Sequence, residues 1–206
     1  MSDFPYQSDA ECIAAYRAGD PAAFEALVAR HLSAVYNFIA RYAGGGDDAD
    51  DIVQDVFVKV WKHLHRFDTT KNFRTWLFTI AKNTALDWLK KKKAIVFSDM
   101  SDGSENMPAF EETIADDEPA PPEIIDAKIS HTELASLLDG LHPDHKAVVL
   151  LRLDSQLTFR EIAESLDRPI NTVKSHYRRA ISSLRKKLDD SHQTSDTKRI
   201  RINHEK

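Results

Sequence analysis

Apolar residues recur along most of this 206-residue chain at three- and four-residue steps, the spacing that turns one face of a helix toward a core. Asp20-Pro21 offers a capping carboxylate followed by a proline at the first helical position, where its missing amide costs nothing. Behind that signal, Phe24, Leu27, Val28, His31, Val35, Phe38, Ile39 and Tyr42 predict one long amphipathic helix, stopped by Gly44-Gly45-Gly46. A second helix is predicted from near Asp48, with Ile52, Val53, Val56, Phe57, Val60, Trp61 and Leu64 facing inward. After a polar turn over Asp68 to Asn72, a third carries Trp76, Leu77, Ile80, Ala81, Thr84, Trp88 and Leu89 on its inner stripe. These three can share one core.

A second set of signals lies further on. A helix is predicted around Thr132 to Leu141, then Pro143-Asp144 starts an apolar helix through Val148 to Leu153. Thr158 and Glu161 form a capping box, because the hydroxyl and the carboxylate can each satisfy an otherwise unpaired amide. A short helix to Leu166 follows. The turn from Asp167 to Asn171 leads to a last helix from Thr172 to about Leu188, striped by Val173, Tyr177, Ala180, Ile181 and Leu184. Few stretches alternate with the period of a strand. The predicted fold is all-α: an N-terminal helix bundle and a C-terminal four-helix domain containing a helix-turn-helix.

Between them, residues 94–130 hold ten acids against one base, Lys128, and four of the eight prolines. That composition predicts a flexible acidic linker. The domains are accordingly expected at 1–93 and 131–190, with the linker at 94–130 and a disordered, charge-solvated tail at 191–206.

The overall composition, 42% hydrophobic and 9% aromatic, excludes disorder throughout. A single cysteine, Cys12, excludes an internal disulfide framework and fits a reducing compartment; it is also an ordinary small core residue. The N-terminus has no basic start followed by an apolar stretch, and no apolar run approaches the roughly 18 residues of a membrane span. A cytoplasmic chain without membrane insertion is expected. The net charge of -5 is misleading for partners, since the segment 94–130 accounts for it; the remainder carries 27 bases and 23 acids. Lys71 to Lys93 holds seven bases against Asp87, and Thr158 to Leu188 holds eight against three acids, so both are candidate phosphate-facing surfaces.

Three surfaces follow from these patterns. In a helix-turn-helix the second helix enters the DNA major groove, and Asn171, Thr172, Lys174, Ser175, Arg178 and Arg179 stand near its start, off the apolar stripe. Arginine and lysine there can donate to guanine acceptors, while Arg160, Arg185, Lys186 and Lys187 suit phosphates. In the first unit Phe67, Phe73 and Trp76 lie beside Thr69, Thr70, Lys71, Asn72, Arg74, Lys82 and Asn83, a mixture of rings and bases able to stack an unpaired base and hold its backbone. The lysine run Lys90 to Lys93 stands nearby; cations also simply favour a helix C-terminus. On the helix from Asp48, the residues Asp51, Gln54, Asp55 and Val58 form an outward acidic and amide face suited to a basic protein partner, or to water alone.

The histidines make a poor metal site. His63 and His65 point to opposite sides of a helix, and His142 with His145 lacks a recognisable third ligand. No cofactor, metal or catalytic residue is expected.

These residues resemble a known family, the extracytoplasmic-function (ECF) sigma factors of the sigma-70 class. Asp50 to Trp61, DDIVQDVFVKVW, resembles the family's core-polymerase-binding helix; Phe73 to Ala85, FRTWLFTIAKNTA, looks like its promoter-melting helix. Leu157 to Ala163 with Asn171 to Ser175 is similar to its C-terminal helix-turn-helix, and the likeness covers roughly residues 10–93 and 131–188 in the family's order. The resemblance implies a non-enzymatic transcription initiation factor that directs core RNA polymerase to promoters. Asp51, Gln54, Asp55 and Val58 would meet the β′ clamp helices. The loop Phe67 to Arg74, with Trp76 and Asn83 behind it, would capture a base flipped from the minus-ten element, while Lys82 and the lysine run hold backbone. Arg160, Asn171, Thr172, Lys174, Ser175, Arg178 and Arg179 would act at the minus-thirty-five element, and the rest of that unit at the β flap. It also implies an anti-sigma partner, the factor being monomeric when free or bound to it. Asn171 stands where the family often has glycine, and the loop Asp68 to Asn72 is this chain's own, so promoter sequence does not carry over. A chain that only mimics a sigma factor, sequestering its anti-sigma partner, is the competing reading; retention of Lys174, Arg178, Arg179 and the lysine run argues against it.

Overall fold

Helix α1, Asp9–Arg17, begins where the Ser8 hydroxyl accepts the Glu11 amide at 3.2 Å. The computed structural model describes residues 6–97 and 136–202, and every regular element among them is helical. Helix α2, Pro21–Ala43, starts as its sequence dictates: the Asp20 carboxylate accepts the Ala22 amide at 3.0 Å, with proline in the first turn. Helix α3, Asp47–His63, has Asp47, Asp48 and Asp50 in its first turn, where negative charge meets the positive end of the helix dipole. A 3-10 turn, Leu64–Arg66, follows, and α4 runs over Phe73–Phe97.

These helices form the expected bundle. α2 packs on α1, α3 and α4, and α3 packs on α4. The centre is aromatic: Phe38 stacks on Tyr42 and meets Phe78 edge-on at 5.6 Å. α1 is tied to α2 by Asp9, whose carboxylate takes Arg30 and His31 at 2.9 Å each. Burial pushes that carboxyl up, but the hydrogen bonds from His31 and Arg30 outweigh it and leave Asp9 below its ordinary range.

In the second unit residues 136–139 are helical, followed by α5, Pro143–Leu153, α6, Phe159–Leu166, and α7, Ile170–Ile202. The capping box at α6 is complete: Thr158 Oγ1 accepts the Glu161 amide at 3.3 Å and Glu161 Oε2 accepts the Thr158 amide at 2.7 Å. Asp167 ends α6 in the left-handed region at φ 51°, a conformation aspartate tolerates better than most residues. α5 and α6 both pack on α7, with Phe159 meeting Tyr177 at 5.1 Å.

Several expectations need correction. The sequence pattern left α1 unforeseen. Trp61, expected inward, is 52% exposed, because Val53, Val56, Val60 and Leu64 already fill the inner stripe of α3 and its continuation. The backbone of α4 continues to Phe97, into the expected linker, and α7 starts at Ile170 and continues to Ile202, past the expected end near Leu188 and into the expected disordered tail. The rest of the linker, and the start of the helix expected at Thr132, lie outside the described residues.

The two units also pack on each other. α6 rests on α4 and α5 on α2, so one hydrophobic core runs from Cys12 through to Leu184.

Candidate protein and nucleic-acid interfaces

On α3 the row Asp51, Gln54, Asp55 and Val58 is exposed, as its spacing requires. Among the described residues neither Asp51 nor Asp55 makes an ion pair, whereas Asp48, one turn earlier, takes Lys92 at 2.8 Å. The row borders an open groove of about 600 Å³ lined by Phe24, Val28 and Leu32 of α2 and by Val53, Phe57 and Trp61 of α3. Leu32, Val58 and Trp61 are large apolar side chains left in water here. Exposed apolar surface flanked by uncompensated carboxylates has the make-up of a protein-binding face.

The loop between the 3-10 turn and α4 is built from below. Phe67 and Phe73 are only 6% exposed; they meet edge-on at 5.6 Å and both touch Trp76, and Phe73 also touches His31. Their expected role as base-stacking rings is therefore corrected: they are core, since the loop closes over them and buries their apolar area. The Arg17 guanidinium donates to the Leu64 carbonyl at 3.1 Å and to that of Phe67, fixing the start of the loop from α1. Asp68 accepts the Thr70 hydroxyl at 2.7 Å and its amide at 3.0 Å, and these bonds hold its carboxyl below the usual range. Asn72 caps α4, its Oδ1 accepting the Thr75 amide at 3.2 Å. What remains outward is Thr69, Thr70 and Lys71, while the Asn72 amide nitrogen donates to Glu161 Oε1 at 2.7 Å; Asn83 is exposed one face along, and Lys82, Arg74 and Trp76 are half-buried.

In the second unit Arg160, Asn171 and Arg179 are exposed, and Thr172, Lys174, Ser175 and Arg178 are half-buried around the start of α7. All but Arg160 stand together on the second helix of the helix-turn-helix pair. Lys187, expected at phosphates, instead donates to the Leu137 carbonyl at 3.3 Å. The structure adds a neighbour the sequence did not disclose: the ring of His176 lies 5.0 Å from that of His145, which lies 5.5 Å from that of His142. Burial, and then the neighbouring His176 and His142, push His145 down to about 4; burial lowers His176 as well. Among the described residues no group of three or more His, Cys, Asp or Glu side chains is arranged to hold a metal ion, and no helix is long and apolar enough to cross a membrane.

Comparison with known proteins decides the kinship of these surfaces. The family model for sigma-70 region 2 matches residues 27–95, and that for sigma-70 region 4 matches residues 137–186. The chain belongs to the ECF sigma factors of the sigma-70 family. It is 30% identical over 173 residues to the ECF RNA polymerase sigma factor SigW of Bacillus subtilis, covering 84% of this chain and 92% of that one. Against the ECF RNA polymerase sigma-E factor of Escherichia coli, identity is 32% over 174 residues, 82% of this chain and 88% of its relative. The solved structure of CnrH in complex with the cytosolic domain of CnrY matches with a TM-score of 0.65 at 26% identity, covering 88% of this chain and 97% of CnrH.

In this sigma factor the region 2 match takes in the loop, α3 and most of α2, and the region 4 match takes in the helix-turn-helix. It leaves out α1, the source of Arg17. That support for the loop was hidden in the sequence because a nine-residue helix shows too few turns for its period to stand out. Trp61 was visible but assigned to the wrong side, and His176 could not be linked to His145 without knowing how α5 and α7 cross.

Proposed function

We propose that this sigma factor divides promoter recognition among three surfaces, one for polymerase and two for DNA. The observation that carries the reading is the α3 face, where Asp51, Gln54, Asp55 and Val58 stand beside an apolar groove with Trp61 in water. This face receives the β′ clamp helices of core RNA polymerase: the carboxylates meet basic residues and the groove receives apolar ones. The loop residues Thr69, Thr70, Lys71 and Asn72, with Arg74, Trp76, Lys82 and Asn83, hold the minus-ten strand and its flipped base, on a base made rigid by Phe67 and Phe73. Preorganisation of this kind lowers the ordering cost of binding.

Arg160, Asn171, Thr172, Lys174, Ser175, Arg178 and Arg179 act at the minus-thirty-five element, and the remainder of the second unit meets the β flap. The polymerase supplies the chemistry; this chain is not an enzyme and works in the cytoplasm as a monomer. An anti-sigma partner controls it, a reading supported by the related CnrH having been solved with the cytosolic domain of CnrY bound. The two domains, expected at 1–93 and 131–190, are joined by the acidic segment, with α4 reaching Phe97 and α7 reaching Ile202 beyond those bounds.

Reconstitution with bacterial core polymerase on a library of random promoter DNA, followed by sequencing of transcript starts, tests this directly. The expected result is a two-part motif upstream of each start, absent with core alone and lost on Asp51→Arg with Asp55→Arg. A library without start-site preference would end the proposal.

A further inference from the structure

Two consecutive residues of α1 take hold of the turn from which the minus-ten loop departs. Arg17 Nη2 donates to the Leu64 carbonyl at 3.1 Å and to that of Phe67, and these two carbonyls bracket the 3-10 turn. Within that turn the ring of His65 lies 5.0 Å from the ring of Tyr16. Carbonyls at the end of a helical run lack partners inside it and carry its negative pole, so a guanidinium matches them in both shape and charge.

The far end of the loop is reached from the same helix. Asp9 pairs with Arg30 and His31 at 2.9 Å each, and the His31 ring lies 5.4 Å from that of Phe73, the first residue of α4 after the loop. Between these two points α1 is itself held firm, with Cys12 and Ile13 buried and Tyr16 meeting Phe24 at 5.6 Å. One nine-residue helix, outside the span matched by the region 2 family model, thus reaches both ends of a loop whose entry stands 50 positions from Arg17.

We propose that α1 is the positioning element of the minus-ten loop: Arg17 sets its entry and Asp9, through His31 and Phe73, its exit, so that capture of the flipped base depends on a helix outside the DNA-contacting set. This rests on the reading of the loop as strand-holding. Both Arg17 bonds go to backbone, so the residue acts on the path of the chain and through no loop side chain. A loop with fixed ends has fewer conformations to lose when a base enters, and binding the strand then costs less entropy. Arg17 is exposed, so water can take its place at the carbonyls; the fold survives its loss while the path of the loop does not.

The test uses the full-length factor bound to core polymerase and a promoter mapped by the reconstitution above. For the parent, Arg17→Met and Arg17→Lys, affinity is measured for core, for the upstream duplex and for the minus-ten single strand. The strand is used intact and with an abasic site at the flipped position, found by scanning the parent. Arg17→Met keeps the apolar stem and removes the donors. It should weaken the intact strand roughly tenfold, the scale of one charge-assisted hydrogen bond, and leave the abasic strand, the duplex and core at parent values. Arg17→Lys restores a cation and its donors and should recover most of that loss. Weakening of intact and abasic strands alike, or of strand, duplex and core together, overturns the proposal. So does an Arg17→Met variant that binds the intact strand like the parent, or an Arg17→Lys variant no better than Arg17→Met. A parent that binds intact and abasic strands equally at every position instead removes the strand-holding reading of the loop, which separates that failure from a failure of α1.

Discussion

The rings of Phe67 and Trp76 lie 4.8 Å apart at an inclination of 40°, and this contact fixes the residue from which the loop 68–72 departs. Phe67 is buried, so Phe67→Ala is expected to cost about 3–5 kcal/mol of stability through the cavity it leaves. The exposed Thr69→Ala should leave stability within about 0.5 kcal/mol while weakening capture of the minus-ten strand. Urea unfolding of both variants, set beside binding of promoter single strand by the holoenzyme, separates the roles. An unchanged unfolding midpoint for Phe67→Ala with weakened strand binding would return Phe67 to the base-stacking role its position in the sequence first suggested.

Trp61 stands outside the packed stripe of α3 and is 52% exposed. Its removal should therefore be silent for stability and costly for assembly. Trp61→Ala is expected to shift the unfolding free energy by less than about 0.5 kcal/mol, yet to raise the Kd for core polymerase roughly thirtyfold, as truncation of an aromatic anchor does. Competition with the parent for limiting core measures this. A Kd equal to the parent's would mean that the groove beside α3 is not used by polymerase.

Arg179 and Lys186 are both exposed cations on α7, and they should behave differently. Arg179 stands among the residues proposed to reach base edges; Arg179→Ala is expected to cost about 1–3 kcal/mol and to relax preference at one upstream position. Lys186, two turns further along, is proposed to meet phosphate. Lys186→Ala should weaken all promoters alike and reduce the slope of log affinity against log salt by about one. Start-site mapping on a library randomised at the upstream element, repeated at several salt concentrations, distinguishes them; identical profiles for the two variants would contradict the division between base and backbone contacts.

Local signals were readable where one residue type settles one bond. The Asp20-Pro21 start, the Thr158 capping box and the inner stripe of α7 all appear as the sequence suggests, because a cap or a stripe depends on neighbours three or four residues away. Trp61 and Phe67 were misplaced for a common reason. Large aromatic residues satisfy either a core or a binding face, and only the full packing of α2, α3 and α4 decides which. The seam between the units was illegible altogether: Arg41 and Asp154, which form an ion pair across it, are separated by 113 positions, and nothing local to either marks a partner.

His145 gives the second unit a stability that depends on pH. Burial, and then His176 and His142, lower it to about 4 from an ordinary value near 6.5, against a partial opposing pull from Asp144; Arg179 adds to the lowering. The folded chain thus keeps the imidazole neutral while the unfolded chain protonates it. Between about pH 6.5 and 4 the unfolded state binds more protons, so stability falls as pH drops through that window, and above it the contribution is flat. His176 is lowered by burial and adds to the same slope. Asp9 acts lower down: its carboxyl is held below the ordinary range, so the stability it contributes is present above about pH 4 and disappears as the pH falls through its folded value. Replacing His145 with glutamine removes one titrating group without adding charge. Denaturant unfolding followed by circular dichroism at pH 7.5, 6 and 5 should give a shallower loss of stability for His145→Gln than for the parent, whatever the offset between them at pH 7.5. Parallel lines for the two proteins would show that His145 titrates alike in the folded and unfolded chains, and that the row of imidazoles between α5 and α7 carries no linkage.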